Sequence, residues 1–215
     1  MRQLPFSILL AFTFILLSCS FTNAKQFKNK SSIEKESTKI ITAINKNEEE
    51  INKEYKEGRF EDALSTFSDT VKKNKMDTVL MLSKCPEKFE SFCSEQSTKV
   101  DSKIDSIFNE YFANEENFPE QPNNGEELIV AFIKDFLIDP DSANFKNIIY
   151  KKSYNIPLIG NIDLDSVLGW EISGEVNSKN RFGGYVGFQP FNCFIIKNNV
   201  QYCEVNGTYY HPTDN

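Results

Sequence analysis

Hydrophobic residues are spaced in two different ways along this chain of 215 residues. Between about residues 38 and 116 they recur at every third or fourth position, a spacing typical of amphipathic helices. Farther along, Trp170, Ile172 and Val176 alternate with polar neighbours, which predicts a strand with one face in a core. The two patterns predict an α+β protein, in which an N-terminal helical segment precedes a small domain of one helix packed on an antiparallel β-sheet.

The helical region contains several apolar stripes that need partners, so we expect a small bundle or helical hairpin. Gly58 separates the first two stripes, and Pro86 disfavours helix at Cys85, which predicts a connection between helices there. The stripes are Ile40, Ile44, Ile51 and Tyr55; Phe60, Ala63, Leu64, Phe67 and Val71; a short helix over Met76–Ser83; and Val100, Ile104, Ile107, Phe108, Tyr111 and Phe112.

Residues 117–125 break the helical period with prolines, asparagines and a glycine. They predict a linker between the helical region, residues 38–116, and an α+β domain, residues 126–212. A helix is expected over residues 126–138, because acidic residues suit its first turn and Asp139-Pro140 stops it. Its buried stripe consists of Ile129, Phe132, Ile133, Phe136 and Leu137.

The remainder of the domain reads as strands joined by polar turns. The predicted strands cover residues 147–150, 170–176 and 184–188, with Pro190 marking a bulge or an edge and a final hairpin of residues 191–196 and 200–205. A three-residue hairpin loop at 197–199 places Cys193 directly opposite Cys203, close enough for a disulfide after a small adjustment. A two-residue loop would place Cys193 opposite Glu204 instead.

The chain begins with an apolar run, residues 5–17, that follows a single basic residue, Arg2. The run is shorter than the roughly 20 residues needed to span a bilayer, and it predicts an export signal. Its end, Leu16-Leu17-Ser18-Cys19, resembles the lipid-attachment motif of bacterial lipoproteins. That resemblance implies a signal peptide of residues 1–18 and a palmitate-type lipid on Cys19. The alternative is ordinary cleavage after Ala24, which gives a signal of residues 1–24 and a protein without the lipid.

The polar residues 19–37 are predicted to form a flexible tether. If cleavage occurs after Ala24, the tether begins at residue 25. After either cleavage four cysteines remain, which in an exported chain predict two disulfides. Proximity in the sequence favours Cys85 with Cys93 and Cys193 with Cys203. A metal site is not predicted, because the spacing of the cysteines does not match that of metal ligands and histidines are lacking beside them.

Residues 139–145 and 174–188 resemble a recurring pattern in short bacterial proteins that are often exported. The resemblance covers the C-terminal domain and leaves the helical region unmatched. It implies an exported or lipoprotein family without implying a reaction.

Candidate chemistry is sparse. Asn177, Lys179, Asn180 and Arg181 concentrate hydrogen-bond donors beside glycines, and they form a candidate ligand-contact turn whose simpler interpretation is a charged hairpin tip. Similarly, Asp139 and Asp141 are explained as paired carboxylates or as a helix stop followed by a cap. His211 is the only histidine and lies close to the C-terminus, where we expect a frayed tail. Motifs for phosphate or dinucleotide binding are missing from the sequence, so no cofactor is expected.

A net charge of −7 argues against nucleic acid as a partner and against electrostatic docking on anionic lipid. The leading hypothesis is a non-enzymatic cell-envelope lipoprotein on the outer face of a bacterial membrane. It would touch the membrane only through its N-terminal lipid and bind an envelope protein or the cell wall. The alternatives are a disulfide-stapled inhibitor of a hydrolase, a soluble periplasmic or secreted protein that binds a small ligand, and an enzyme that uses Asp139, Asp141 or the Lys179/Arg181 turn.

Overall fold

A computed structural model describes residues 26–116, 118–156 and 167–212. The chain forms two compact units, one of described residues 26–114 with Ile156 and one of the other described residues. The first unit is helical and the second contains the β-sheet, so the predicted α+β class is confirmed. Within the described ranges, no helix is long and apolar enough to cross a membrane. The predicted signal segment and Cys19 lie outside the described residues.

Three long helices make up the first unit. They are α1 (Lys30–Lys56), α2 (Phe60–Ser83) and α3 (Glu90–Tyr111), with a short 3-10 helix at Glu87–Phe89 before α3. The predicted tether, residues 19–37, is wrong in its last part, because α1 already begins at Lys30. Asn29 caps this helix by accepting a hydrogen bond from the Ser32 amide at 2.9 Å, and Ile33 is fully buried. The separate helix predicted at Met76–Ser83 is wrong, because α2 continues through it.

The helices of the first unit meet through the predicted apolar stripes. Phe67 of α2 lies 6.5 Å from Phe108 and 4.9 Å from Phe112 between ring centroids. A disulfide between Cys85 and Cys93 closes the connection between α2 and α3, as predicted. Closing a short loop in this way limits the conformations of the unfolded chain.

The second unit packs one helix against a five-stranded antiparallel sheet in the order β1-β2-β3-β4-β5. The elements are α4 (Gly125–Lys134), a 3-10 helix (Pro140–Ser142), β1 (Asn144–Tyr154), β2 (Leu168–Asn177), β3 (Gln189–Ile196), β4 (Asn199–Val205) and β5 (Thr208–Tyr210). Ile129 and Ile133 of α4 are fully buried against the apolar face of the sheet. The helix is shorter than the predicted 126–138 and ends at Lys134, although Leu137 still packs on the same core.

Part of the predicted linker, residues 117–125, is packed within the second unit. Phe118 is 7% exposed and meets Trp170 edge to face, with ring centroids 5.8 Å apart. The indole Nε1 of Trp170 donates a hydrogen bond to the carbonyl of Pro119 at 2.9 Å. The division between the units falls after Asn114, just before this packed segment.

Two predicted strands differ from the structure. The first strand is longer than residues 147–150, since it runs over Asn144–Tyr154. It contains a bulge, where Asn147 has a φ of 55° and the pairing with β2 shifts by one residue. The strand predicted at residues 184–188 is wrong, since those residues form a loop and β3 begins at Gln189. Pro190 lies inside β3, opposite Glu175 of β2.

The last hairpin has the predicted pairing but a different turn. Lys197 and Asn198 form a two-residue turn, both with positive φ, in place of the predicted three-residue loop. An unshifted ladder from this turn would pair Cys193 with Tyr202, so the expectation of Glu204 for a two-residue loop is wrong. The register between β3 and β4 shifts by one residue at Gln201, and Cys193 pairs with Cys203 and forms the predicted disulfide.

The sheet continues beyond this hairpin, whereas the sequence predicted that the hairpin would be its last part. Asn206 and Gly207, both with positive φ, turn the chain into β5. His211 directly follows that strand, where its Nδ1 lies 3.4 Å from the carbonyl oxygen of Gln201. Asn-Gly between two apolar runs is a strong hairpin signal, so this turn is marked in the sequence although the predicted sheet lacks it.

Candidate functional site

The four residues of the candidate ligand-contact turn lie where β2 leads into β3. Asn177 is the last residue of β2, and Lys179, Asn180 and Arg181 belong to residues 178–188, which we name the β2–β3 loop. Lys179 and Tyr185 form an isolated antiparallel bridge inside this loop. The structure therefore brings the four predicted residues together at one end of the sheet.

Both asparagines bind the backbone of the loop itself. The Asn180 side-chain oxygen accepts hydrogen bonds from the amides of Phe182 at 2.9 Å and Gly184 at 3.2 Å. The Asn177 side-chain oxygen accepts one from the Gly187 amide at 3.1 Å. Asparagine commonly stabilises turns in this way. The bonds fix the backbone of the loop, which supports the hairpin interpretation for these two residues.

A contact from an earlier part of the chain holds the base of the loop. The Lys179 amide donates a hydrogen bond to the Ser142 hydroxyl oxygen at 2.8 Å, and that hydroxyl donates to the carbonyl of Asp139 at 2.9 Å. A carboxylate oxygen of Asp139 accepts a bond from the Ser142 amide at 3.2 Å. Asp139 thus caps the 3-10 helix, while the side chain of Asp141 is exposed. This arrangement matches a helix stop followed by a cap.

The outer part of the loop exposes four large apolar side chains within seven residues. Every residue from 181 to 188 is exposed. The exposed fractions are 86% for Phe182, 53% for Tyr185, 53% for Val186 and 40% for Phe188. Single exposed apolar side chains are ordinary on protein surfaces, whereas a contiguous group of them marks an interaction site or an aggregation hazard.

Each aromatic ring of the loop has a cation beside it. The Arg181 guanidinium lies 5.5 Å from the centre of the Phe182 ring, and the Lys179 ammonium lies 5.6 Å from that of Tyr185. The ammonium of Lys146 on β1 lies 3.7 Å from the centre of the Phe188 ring. These distances fall within the range of cation–π attraction. The surface therefore combines apolar area with positive charge.

The cations differ in their access to carboxylates. Lys146 forms an ion pair with Glu175 at 3.3 Å. Hydrogen bonds from Asn147 and then from Lys146 lower the pKa of Glu175, so this carboxylate keeps its charge beside the loop. Lys179 and Arg181 form no ion pair with any carboxylate of the described residues. The loop itself contains no acidic residue.

The sheet face that carries Glu171 has polar groups as well, but they bond to one another. Glu171 accepts hydrogen bonds from the side-chain Nδ2 of Asn192 at 3.2 Å and from the Ser153 hydroxyl at 3.3 Å. Burial, together with the charge of Glu171, raises the pKa of Tyr202 to about 12. Nowhere in the described ranges do three or more histidine, cysteine, aspartate or glutamate side chains gather to hold a metal ion. The β2–β3 loop is therefore the stronger candidate.

Sequence reasoning found the polar residues of this loop and missed its apolar ones. Tyr185, Val186 and Phe188 favour strands, which is why the sequence predicts a strand over residues 184–188. The available signal was glycine, because Gly183 and Gly187 both adopt positive φ, which a regular strand does not allow. No family model, curated protein or solved structure matches the chain.

Proposed function

We propose that this protein is a non-enzymatic interaction module of the cell envelope that binds a partner through the β2–β3 loop. The proposal rests on one observation. The side chains of Asn177 and Asn180 bind the backbone of the loop, while its large apolar side chains are exposed to solvent. Phe182, the most exposed of them, is expected to be the main anchor. Aromatic and arginine side chains contribute most often to the energy of protein interfaces.

The internal hydrogen bonds of the loop favour binding by a preformed surface. A mobile loop loses conformational freedom when it binds, and this loss reduces its affinity. Asn177 and Asn180 hold the amides of Phe182, Gly184 and Gly187 before any partner arrives. The backbone is thus already ordered, and only the side chains lose conformational freedom on binding.

The disulfides support the proposed location. Disulfides persist in oxidising compartments and are rare in the cytosol of ordinary cells. In both pairs, Cys85 with Cys93 and Cys193 with Cys203, the two sulfurs lie at bonding distance in the structure. Together with the N-terminal resemblance to a lipoprotein signal, they support export and attachment through a lipid on Cys19.

Metabolic labelling with radioactive palmitate tests the lipid. The wild-type chain is expected to incorporate label, and Cys19→Ala is expected to lose it. An unlabelled wild type would contradict lipid attachment and favour cleavage after Ala24. The binding proposal does not depend on this result, because it concerns the opposite end of the chain.

Photo-crosslinking in intact cells tests the binding. A benzophenone amino acid replaces Phe182 in the full chain, and the same replacement at Leu80 serves as the control. Leu80 is 41% exposed and belongs to the helical unit. We expect one specific adduct from position 182 that is missing from position 80. Identical adducts from both positions, or none from position 182, would overturn the proposal. A hydrolase as the captured partner, together with loss of its activity when the purified protein is added, would identify the protein as an inhibitor.

A further inference from the structure

We infer that the partner of the β2–β3 loop is a protein segment that carries carboxylates next to an apolar side chain. This inference rests on the proposed function and specifies the chemistry of the partner. It joins two properties of the loop, namely its exposed apolar side chains and its two cations, which form no ion pair with a carboxylate of the described residues.

The charge of the loop is opposite to that of the chain. The whole sequence has 31 acidic and 24 basic residues, for a net charge of −7. Residues 178–188 carry Lys179 and Arg181 and no acidic residue. Complementary charge selects partners and speeds their encounter. An acidic partner is attracted to the two cations of the loop and repelled by the net negative charge of the chain.

The geometry of the cations suits carboxylates in particular. Arg181 and Lys179 lie beside the Phe182 and Tyr185 rings, which hold them near the apolar side chains. A cation beside a ring still offers N–H donors at its outer side, and a guanidinium binds a carboxylate with two parallel hydrogen bonds. A partner that presents an acidic residue beside an apolar one satisfies both parts of the surface together.

Two other partners fit less well. Recognition of anionic lipid headgroups typically uses clusters of about four to eight lysines and arginines. The loop itself offers only Lys179 and Arg181, and the net charge of −7 repels an anionic membrane. Nucleic acid is disfavoured for the same reason, since its binding depends on neutralising many phosphates.

A random-peptide display library tests the inference. The full-length protein is purified in mild detergent and used to select peptides, and the selected sequences are compared with the starting library. We expect enrichment of aspartate and glutamate next to aliphatic or aromatic residues. Selected peptides without enrichment of acidic residues would overturn the inference.

Variants then separate charge from apolar contact. The affinity of the most enriched peptide is expected to fall at least tenfold in the double variant Lys179→Gln/Arg181→Gln and to remain unchanged in Lys35→Gln/Lys46→Gln. Lys35 and Lys46 are exposed lysines of α1. Unchanged affinity in the loop variant would overturn the inference. Circular dichroism of both variants checks that they fold as the wild type does.

Two further measurements keep the inference and the proposed function distinguishable. If Phe182→Ser abolishes binding in cells and the loop charge variant does not, the interaction module stands and the acidic partner is wrong. If neither variant affects binding, both proposals fail.

Sedimentation with phosphatidylglycerol vesicles, with phosphatidylcholine vesicles as the control, tests the lipid alternative. Binding of the protein through this loop to the anionic vesicles, and not to peptides, would overturn the inference. A dimer of the protein that dissociates in the loop charge variant would overturn it as well.

Discussion

Cys193 faces Cys203 across the β3–β4 hairpin because β4 contains one extra residue, Gln201. The turn aligns Ile196 with Asn199, and a regular ladder from there would bring Tyr202 opposite Cys193. The register shift at Gln201 moves the pairing by one residue and aligns the two sulfurs. A one-residue shift in a strand moves each side chain to the other face of the sheet. The bulge therefore keeps Cys203 in the core, where it is fully buried.

Deletion of Gln201 is expected to preserve this disulfide. Without the extra residue, a regular ladder from the turn pairs Ile195 with Val200 and then Cys193 with Cys203, so both cysteines stay on the same face of the sheet. Mass spectrometry after alkylation without reductant should find no free thiols in the deletion variant, as in the control Gln201→Ala, which keeps the strand length. Two free thiols in the deletion variant would contradict the assignment of Gln201 as the extra residue.

Gly169→Ala is expected to lower the free energy of unfolding by about 1–3 kcal/mol, as overpacking of a core typically does. A Cβ atom at this position would lie 2.6 Å from the backbone oxygen of Ile195, and a backbone atom cannot move aside cheaply. Gly184→Ala is the matched control, because its nearest neighbour, the Asn180 side chain, lies 3.9 Å away. Urea denaturation measures both variants. Equal stability of the two would contradict the close packing of β2 on β3.

Asn180→Ala is expected to loosen the β2–β3 loop and leave the rest of the domain folded. The substitution removes the acceptor for the amides of Phe182 and Gly184, bonds that each contribute on the order of 1 kcal/mol. Hydrogen exchange followed by NMR should show faster exchange at these two amides and unchanged exchange in the strands. Asn123→Ala, at an exposed position in the same unit, is the control. Unchanged protection in Asn180→Ala would contradict the proposed ordering of the loop.

Glu175 links stability to pH. Its pKa is lowered in the folded state by hydrogen bonds from Asn147 and Lys146, so its contribution to stability is present above the unfolded pKa and disappears as the pH falls through the folded pKa. The stability difference between wild type and Glu175→Gln should therefore shrink as the pH falls from about 5 to about 3. Chemical denaturation across this range measures it, with Glu120→Gln at an exposed position as the control. A difference that does not depend on pH would contradict the role of the charge.

The helical half of the fold was the most predictable from the sequence. All six residues of the last predicted stripe, Val100, Ile104, Ile107, Phe108, Tyr111 and Phe112, are buried. Helical hydrogen bonds and apolar stripes are local, so a window of a few turns contains most of the information. The length of α2 was less predictable, because Met76 and Leu80 are apolar and yet exposed. The start of α1 was missed because a polar segment was read as a tether without regard to the cap at Asn29.

The strands were harder to assign because each depends on its neighbours. Residues 184–188 have the composition of a strand, yet Gly183 and Gly187 take positive φ and the chain forms the β2–β3 loop there. The support of that loop by Ser142 comes from 37 residues earlier in the chain. Such a contact leaves no local mark in the sequence.

Local spacing and cysteine proximity were thus sufficient to predict the α+β class, the order of helices and sheet, and both disulfide pairs. They also predicted which polar residues would meet at the end of β2. Folding in three dimensions settled the rest, namely the bulge at Gln201 and the outward direction of Phe182. These features depend on which distant segments share a core, and that is determined by the burial of side chains brought together from the whole unit.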